Sequence, residues 1–341
     1  MGHTDDAVDQ AASTDTAATA AAAAPLKNIT TTLQSSRALE IQSGLIDTFL
    51  NLELIDNNLY LARHLLKGRQ SLPNVYGGQV IGQALAAATC TVANGFVPNS
   101  LHSYFVKSGD VNRPILYMID RIRDGKSFCT RLVKAVQNGD AIFTMQISFH
   151  RPEADSIKHQ IVMPFVPAPE DLLEARPLVE AALKDESLPA SSRAILKHKL
   201  REIPPAFERI FSFRPVDAKE YTLAGPDAEP RTLLWLKANE NIGDDNRLHQ
   251  SVAAYISDCT MLETAMRPAC ARGFIPSMAL TLDHSIWLHD TAFRVDEWML
   301  YENFSTISKG GRSLIEGRLW TRDGRLVLST TQEGLIRAPR K

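Results

Sequence analysis

Cysteine is scarce in this chain, and none of its cysteines is paired in sequence. Four occur in 341 residues, and no two form a C-x-x-C motif. Each lies among small or apolar residues, so we expect reduced core thiols of an intracellular protein. A zinc site is not expected, because structural zinc sites need closely spaced Cys and His ligands. The cysteines are Cys90, Cys129, Cys259 and Cys270.

A strong net charge and a long apolar run are also missing. The 37 Lys and Arg residues nearly balance the 39 Asp and Glu residues, which gives a formal net charge of −2. No whole-protein field would attract nucleic acid or an anionic membrane, so an anionic ligand needs a local basic patch. The longest uncharged run, residues 75–106, is interrupted by Gly, Gln, Asn and Pro. Its apolar part is far shorter than the ~20 residues of a membrane span.

Three motifs of cofactor and nucleophile chemistry are absent. The sequence contains no G-x-G-x-x-G, no P-loop and no G-x-S-x-G. Because the first two motifs bind nucleotide phosphates, no nucleotide cofactor is expected. The third motif presents a nucleophilic serine, and its absence argues against an acyl-serine enzyme.

Composition divides the chain into four parts. Residues 1–36 are rich in Ala, Thr and Asp, begin acidic and lack the basic start of a secretory signal, so we predict a disordered tail. Residues 153–204 combine prolines with charged helix-like pieces and no strand pattern, which predicts a linker. The parts on either side, residues 37–152 and 205–341, are the predicted domains.

The two predicted domains resemble each other. "DGKSFCTRLVKAVQNGDAIFTMQISFHRP" is similar to "GGRSLIEGRLWTRDGRLVLSTTQEGLIRAP", and each contains a two-residue hairpin signal, Asn138-Gly139 or Asp323-Gly324. "SLHSYFV" precedes the first copy and "LDHSIWL" the second. Each copy also has a small-residue helix further upstream, "GGQVIGQALAAATCTV" or "HQSVAAYISDCTMLETAM". The spacing of about 186 residues indicates two related domains rather than a solenoid.

Each copy combines one central helix with a run of antiparallel strands. Alternating residues predict strands near 52–62, 99–107, 114–123, 129–137 and 141–150 in the first copy. The second copy has matching patterns near 209–215, 233–238, 277–288, 297–307, 313–321 and 326–336. The helix is apolar on all sides, which predicts that the sheet wraps around it in an α+β fold.

One carboxylate stands out in the second helix. Asp258 is the single charged residue in "SVAAYISDCTML". Taken alone, such a residue is most often a cap or a partner of a nearby backbone group. Partial desolvation in an apolar helix would alternatively make it a stronger base than an exposed aspartate.

Four motifs together resemble one family. "VYGGQVIGQAL", "LHSYFVKSGD", "LDHSIWLH" and "STTQEGLIR" are similar to motifs of the type II acyl-CoA thioesterases, across residues 45–337. The resemblance implies a double hotdog fold, an acyl-CoA substrate and a homo-oligomer. It also implies hydrolysis by a water that Asp258, Thr281 and Gln332 activate, without a metal or a cofactor. Related proteins are peroxisomal or cytosolic, and the terminal Pro-Arg-Lys does not match a peroxisomal Ser-Lys-Leu.

Other residues have weaker claims to a role. Either helix start, Gly77-Gly78 or His249-Gln250, offers backbone amides to an oxyanion, and we expect the second because it shares a helix with Asp258. His102 and His284 are each followed by serine, but adjacent strand residues point to opposite faces, so both are interpreted as structural. Lys126 and Arg312, in equivalent turns, are candidates for contacts to the CoA phosphates.

Two other functions stay open from the sequence. Hotdog folds also serve hydratases and dehydratases, and His249 with Asp258 could mimic the His and acid of that class. A non-catalytic acyl-CoA binding module is the other alternative.

The duplication also predicts the number of sites. Aligning the copies places Ala87 opposite Asp258, Asn99 opposite Thr281 and Gln146 opposite Gln332. We therefore expect the first copy to keep the glutamine but to lack the base, which leaves one site per chain.

Overall fold

The computed structural model describes residues 26–225 and 228–339, and the side chains from residue 36 onward. Within this part, eight α-helices and twelve strands are found. The helices are α1 (Leu26–Phe49), α2 (Gly77–Thr89), α3 (Ala175–Lys184), α4 (Ala190–Glu202), α5 (Pro205–Ile210), α6 (Ala218–Tyr221), α7 (Asn246–Ser257) and α8 (Met261–Ala271). None of the described helices is long and apolar enough to cross a membrane.

Most of the long strands alternate buried with less buried side chains, as the sequence predicts. In the first half they are β1 (Glu53–Asp56), β2 (Leu59–Ala62), β3 (Val97–Phe105), β4 (Ile115–Asp124), β5 (Phe128–Gln137) and β6 (Asp140–His150). In the second half they are β7 (Phe211–Pro215), β8 (Arg231–Ala238), β9 (Met278–Leu288), β10 (Met299–Lys309), β11 (Arg312–Thr321) and β12 (Leu326–Arg337).

All twelve strands form one antiparallel sheet. Their order is β1-β2-β4-β5-β6-β3-β9-β12-β11-β10-β8-β7, so the two halves meet where β3 pairs with β9. Both predicted hairpins are present. The first turns at Asn138 and Gly139, which both have positive φ, whereas the second has a longer turn, residues 322–325, in which Gly324 has positive φ. This α+β arrangement with two central helices against a continuous sheet confirms the predicted double hotdog.

Helices α2 and α7 are packed almost backbone to backbone. Every residue of α2 from Gly78 to Ala88 is buried. A Cβ on Gly78 would lie 2.2 Å from the carbonyl oxygen of Tyr255, and one on Gly82 would lie 2.7 Å from that of Ser251. The pairing of these positions shows that the helices run in opposite directions, and it brings the start of α2 to the end of α7.

The close approach of these helices leads to a stability prediction. We expect Gly82→Ala to destabilise the protein by about 1–3 kcal/mol, because its Cβ would also lie 2.8 Å from a ring carbon of Phe49. Gly44→Ala, also in a helix interior, is the matched control. Its Cβ would have nothing within 4 Å, so a gain of about 0.5–1 kcal/mol is expected. Urea unfolding measures both, and shifts of the same sign would contradict the packing argument.

Several boundaries differ from the sequence predictions. Helix α1 begins at Leu26, so residues 26–36 are helical rather than tail, and residues 1–25 lie outside the described part. The apolar residues of α1 that follow, such as Ile41, Leu45 and Phe49, are buried in the main core and account for the helix. The predicted strand 52–62 is a hairpin that turns at Asn58, where φ is +61°.

The linker contains helices, as its charged helix-like pieces predict, and one cysteine differs from the expectation. Residues 153–204 hold helices α3 and α4, whose buried Val179 and Leu196 form a small core of their own with Leu188. Cys90 is exposed just after the end of α2, whereas the other three cysteines are buried as expected.

Candidate active site

Asp258 lies at the end of a helix and not in the middle of one. Helix α7 ends at Ser257, Asp258 is its C-cap residue, and a new helix begins at Met261. Thr260 has a left-handed backbone (φ +64°), which interrupts the helix that the sequence predicted to be continuous. The hydroxyl of Thr260 accepts a hydrogen bond from Nδ2 of Asn303, 2.7 Å away, and this contact holds the break.

The start of α2 faces this carboxylate. The backbone N–H of Gly78 donates to Oδ2 of Asp258 at 3.1 Å. Gly77 lies just as close, since a Cβ there would stand 2.9 Å from the same oxygen. A helix N-terminus carries a partial positive charge and free amides, so it favours the carboxylate form. The two halves of the chain therefore share this site.

Thr281 and Gln332 meet Asp258 from the sheet. The hydroxyl of Thr281, on β9, donates to Oδ1 of Asp258 at 3.3 Å. Nε2 of Gln332, on β12, donates to that hydroxyl at 2.8 Å. The three residues that the resemblance implies thus form one hydrogen-bonded row, in which Thr281 contacts both Asp258 and Gln332.

A β-bulge makes this arrangement possible. The ladder between β9 and β12 pairs Glu333 with Asp283 and then Gly334 with Thr281, which leaves Leu282 without a partner. Side chains of a regular strand alternate between faces, so Thr281 and His284, three residues apart, would point in opposite directions. The bulge adds one extra residue between Thr281 and His284, so both side chains point to the inner face. There both of them contact Gln332.

His284, which was interpreted from the sequence as structural, belongs to the same cluster. Its Nδ1 lies 2.8 Å from Oε1 of Gln332, and its Nε2 lies 2.9 Å from Oγ of Ser257. Burial lowers the pKa of His284 to about 4, so the imidazole is neutral at neutral pH. Its spacing from Thr281 could not have found it, because residues three apart on a regular strand point to opposite faces and only the bulge brings them together.

The surroundings of Asp258 change its acidity. Withdrawal of the carboxylate from water raises its pKa to about 7, although the bonds from Thr281 and Gly78 act in the opposite direction. The titratable groups that interact with it are Tyr76, Tyr255, Tyr301 and Cys259, and burial raises the pKa of each of them. All four are neutral at pH 7, so Asp258 is the group in this site that exchanges a proton near neutrality.

Comparison with known proteins identifies the family of the chain. Residues 68–150 match the acyl-CoA thioesterase N-terminal domain, and residues 181–336 match the acyl-CoA thioesterase C-terminal domain. Together the two matches cover more than half of the chain. The chain belongs to the acyl-CoA thioesterase family.

The similarity of this thioesterase family member to individual relatives extends over most of its length. Acyl-coenzyme A thioesterase 8 of Mus musculus is 41% identical over 299 residues, which are 87% of this chain and 90% of the relative. Acyl-CoA thioesterase 2 of Haemophilus influenzae is 31% identical over 290 residues, 84% of this chain and 95% of the relative. The structure of acyl-CoA thioesterase II TesB2 from Mycobacterium marinum has a TM-score of 0.68 at 32% identity and covers 86% of this chain and 98% of its own.

In this family member the helix N-terminus that contacts Asp258 is that of α2 and not, as expected, that of α7. His249, near the start of α7, is buried; its Nε2 contacts the carbonyl of Gly243 and its Nδ1 accepts from the N–H of Val295. The start of α7 lies a full helix length from Asp258, whereas the antiparallel packing brings Gly78 to it. The expectation of the His249-Gln250 start was wrong because it considered only the helix that carries Asp258.

The first copy has lost more of the site than the alignment predicted. Gln146 pairs with His102 across β3 and β6, as Gln332 pairs with His284. However, Gln146 and His102 are exposed, whereas Gln332 and His284 are fully buried. The aligned pairs lie on opposite faces of the sheet, because a displacement of one residue turns a strand side chain over. The first copy therefore keeps neither the carboxylate nor an inward glutamine.

The candidate phosphate contacts remain predictions. Arg312 is engaged in an ion pair with Glu333, with 2.9 Å between Nε and the carboxylate. Lys126 is exposed in its turn.

Within residues 26–225 and 228–339, no three His, Cys, Asp or Glu side chains are grouped so that they could hold a metal ion.

Proposed function

We propose that this chain hydrolyses fatty acyl-CoA to a free fatty acid and CoA. Asp258 acts as the general base, and Thr281 and Gln332 hold the attacking water. The observation that carries this proposal is the contact of a carboxylate, a hydroxyl and an amide in one site, in which the pKa of the carboxylate is about 7. A base with that pKa is available at neutral pH and can still accept a proton.

The reaction needs no covalent intermediate. Asp258 takes one proton from water as the water oxygen bonds to the thioester carbonyl carbon. The tetrahedral intermediate then breaks its carbon–sulfur bond, and the CoA sulfur leaves with the proton that Asp258 holds. Atoms and charge balance, because Asp258 is ionised again after each turnover.

The start of α2 is the proposed site for the negative charge of the intermediate. The amide of Gly78 already donates to Asp258, so the amide of Gly77 is the proposed donor, and Gly77 carries no side chain that would keep a thioester away. Because a Cβ at Gly77 would meet Asp258 Oδ2 at 2.9 Å, its absence keeps open the space beside the base.

The structure weakens the argument for a hydratase or dehydratase. That alternative rested on His249 and Asp258, which lie at opposite ends of α7. His284 is nearer, but Gln332 and Thr281 stand between it and Asp258. A non-catalytic binding module would gain nothing from a carboxylate whose burial disfavours its charged form.

A screen over acyl-CoAs with chains of two to twenty carbons tests the proposal. We expect release of free CoA with the matching acid, no enoyl product, and unchanged rates after treatment with a chelator. The proposal fails if an enoyl-CoA or 3-hydroxyacyl-CoA is formed instead, if the substrates bind without turnover, or if activity lost to the chelator returns with a divalent ion.

Assembly and compartment follow from the same proposal. We propose a homodimer or larger, located in the peroxisomal matrix or the cytosol. Light scattering at micromolar concentration would contradict the first point if it showed only monomer. Imaging of the tagged full-length chain would decide the second.

A further inference from the structure

A continuous row of hydrogen bonds leads away from the base into the core. Asp258 contacts Thr281, Thr281 contacts Gln332 at 2.8 Å, Gln332 contacts His284 at 2.8 Å, and His284 contacts Ser257 at 2.9 Å. Gln332 and His284 are 0% exposed and Ser257 is 2% exposed. At His284 and Ser257 bulk water is excluded and does not replace a lost partner, so each of these groups depends on its neighbour in the row.

The donor and the acceptor of each hydrogen bond in this row follow by elimination. An ionised Asp258 has no proton to give, so the Thr281 hydroxyl must donate to it. The oxygen of Thr281 is then an acceptor for Gln332, and only the amide nitrogen of Gln332 can donate. The carbonyl oxygen of Gln332 consequently faces His284, which must supply a proton from Nδ1.

The contact of His284 with Ser257, at the end of the row farthest from Asp258, is compatible with a proton on Nδ1 of His284. With the proton of the neutral imidazole on Nδ1, Nε2 of His284 accepts from the Ser257 hydroxyl, which otherwise can donate to the carbonyl of Ala254 at 2.8 Å. Backbone contacts hold both residues: Ser103 donates to the carbonyl of His284 at 2.7 Å, and Tyr301 to that of Ser257 at 2.5 Å.

We propose that His284 is a positioning residue that fixes the orientation of the Gln332 amide and thereby makes the Thr281 hydroxyl donate to Asp258. This inference rests on the proposed function, in which Asp258 is the base. Without His284 the amide of Gln332 can turn over and present its oxygen to Thr281. The hydroxyl would then donate to Gln332 instead, and the ionised carboxylate would lose a hydrogen bond that favours it.

Three variants separate this role from a merely structural one. His284→Ala removes the donor; His284→Asn restores it, because Nδ2 of asparagine occupies nearly the place of Nδ1. His102→Ala changes the histidine of the first copy, which contacts Ser285 on the exposed face, and serves as the matched control. For each variant we would measure kcat, KM, the pH dependence of kcat/KM and the thermal midpoint.

We expect His284→Ala to lower kcat by about 10- to 100-fold with KM within about 3-fold. The apparent pKa in the kcat/KM profile of this variant should be higher than that of the wild-type protein, because a hydrogen bond to the charged form of Asp258 is lost. His284→Asn should recover most of kcat and the original pKa, and His102→Ala should leave all four quantities unchanged.

Nitrogen NMR of the unchanged protein adds a test that does not depend on the folding of any variant. We expect the proton of His284 on Nδ1 at pH 8, where Asp258 is ionised. A proton on Nε2 would overturn the inference. So would equal losses in His284→Ala and His284→Asn with an unchanged pH profile, or full activity in His284→Ala.

The outcomes also separate this inference from the proposed function. If Asp258→Asn and Gln332→Ala abolish turnover but His284→Ala keeps its rate and pH profile, only the role of His284 is wrong. If Asp258→Asn itself stays active, the proposed mechanism is wrong and the inference falls with it.

Discussion

Asp258→Asn is expected to reduce kcat by about 10²-fold or more while the fold is retained, because loss of a general base typically costs 10²–10⁴-fold. Asparagine has nearly the same volume and still offers an oxygen to the N–H of Gly78, but it cannot take a proton from water. KM should change little, since the carboxylate acts on the attacking water rather than on the CoA portion. Steady-state kinetics and circular dichroism measure the two effects.

The pH profile of the unchanged protein provides the companion measurement. Because the pKa of Asp258 is about 7, kcat/KM should rise with pH and level off above that value. Activity of Asp258→Asn within a few-fold of the unchanged protein would mean that another group is the base.

Asp258→Asn should raise the thermal stability of the protein at pH 8, although it lowers the activity. The pKa of Asp258 is raised in the fold from 3.8 to about 7, so its ionisation is disfavoured by folding. Its favourable contribution is therefore fully present below about pH 4 and is lost as the pH rises through about 7. We expect Asp258→Asn to have the higher thermal midpoint at pH 8, with the difference narrowing towards pH 4. A difference that does not depend on pH would contradict the raised pKa.

Gln332→Ala is expected to cost about 10²-fold in kcat, a loss comparable to removal of one positioned donor at an active site. Its amide is fully buried and connects Thr281 with His284, so its removal frees the hydroxyl that holds the water. Gln332→Met keeps nearly the same volume but has no N–H to donate to Thr281, so a similar loss in this variant would show that the loss is not a cavity effect.

Gln146→Ala is the matched control for this prediction. Gln146 occupies the aligned place in the first copy but is exposed on the outer face. We expect its kcat to stay within about 2-fold, as is typical of surface changes away from a site. Equal losses from Gln146→Ala and Gln332→Ala would mean that both halves carry a site and that the role given to Asp258 is wrong.

The sequence by itself determined the elements and the fold class. Alternating residues located the long strands, the Asn138-Gly139 turn marked a hairpin, and the all-apolar α2 indicated a helix enclosed by a sheet. These features depend on local preferences, since side-chain periodicity and positive-φ turns are properties of a few neighbouring residues. The motif resemblance also identified Asp258, Thr281 and Gln332 as the residues to place.

Only the tertiary structure decided how these residues meet. The bulge at Leu282 and the outward face of Gln146 each depend on a displacement of one residue, and such a displacement turns a strand side chain over without any local signal. The break after Asp258 depends on Asn303, which contacts Thr260 from a strand of the sheet. The amide of Gly78 and the imidazole of His284 come from distant parts of the chain. They reach the site because α2 runs antiparallel to α7 and because β9 pairs with β12. Local preferences cannot specify contacts of that range, since those contacts exist only when both halves are packed together.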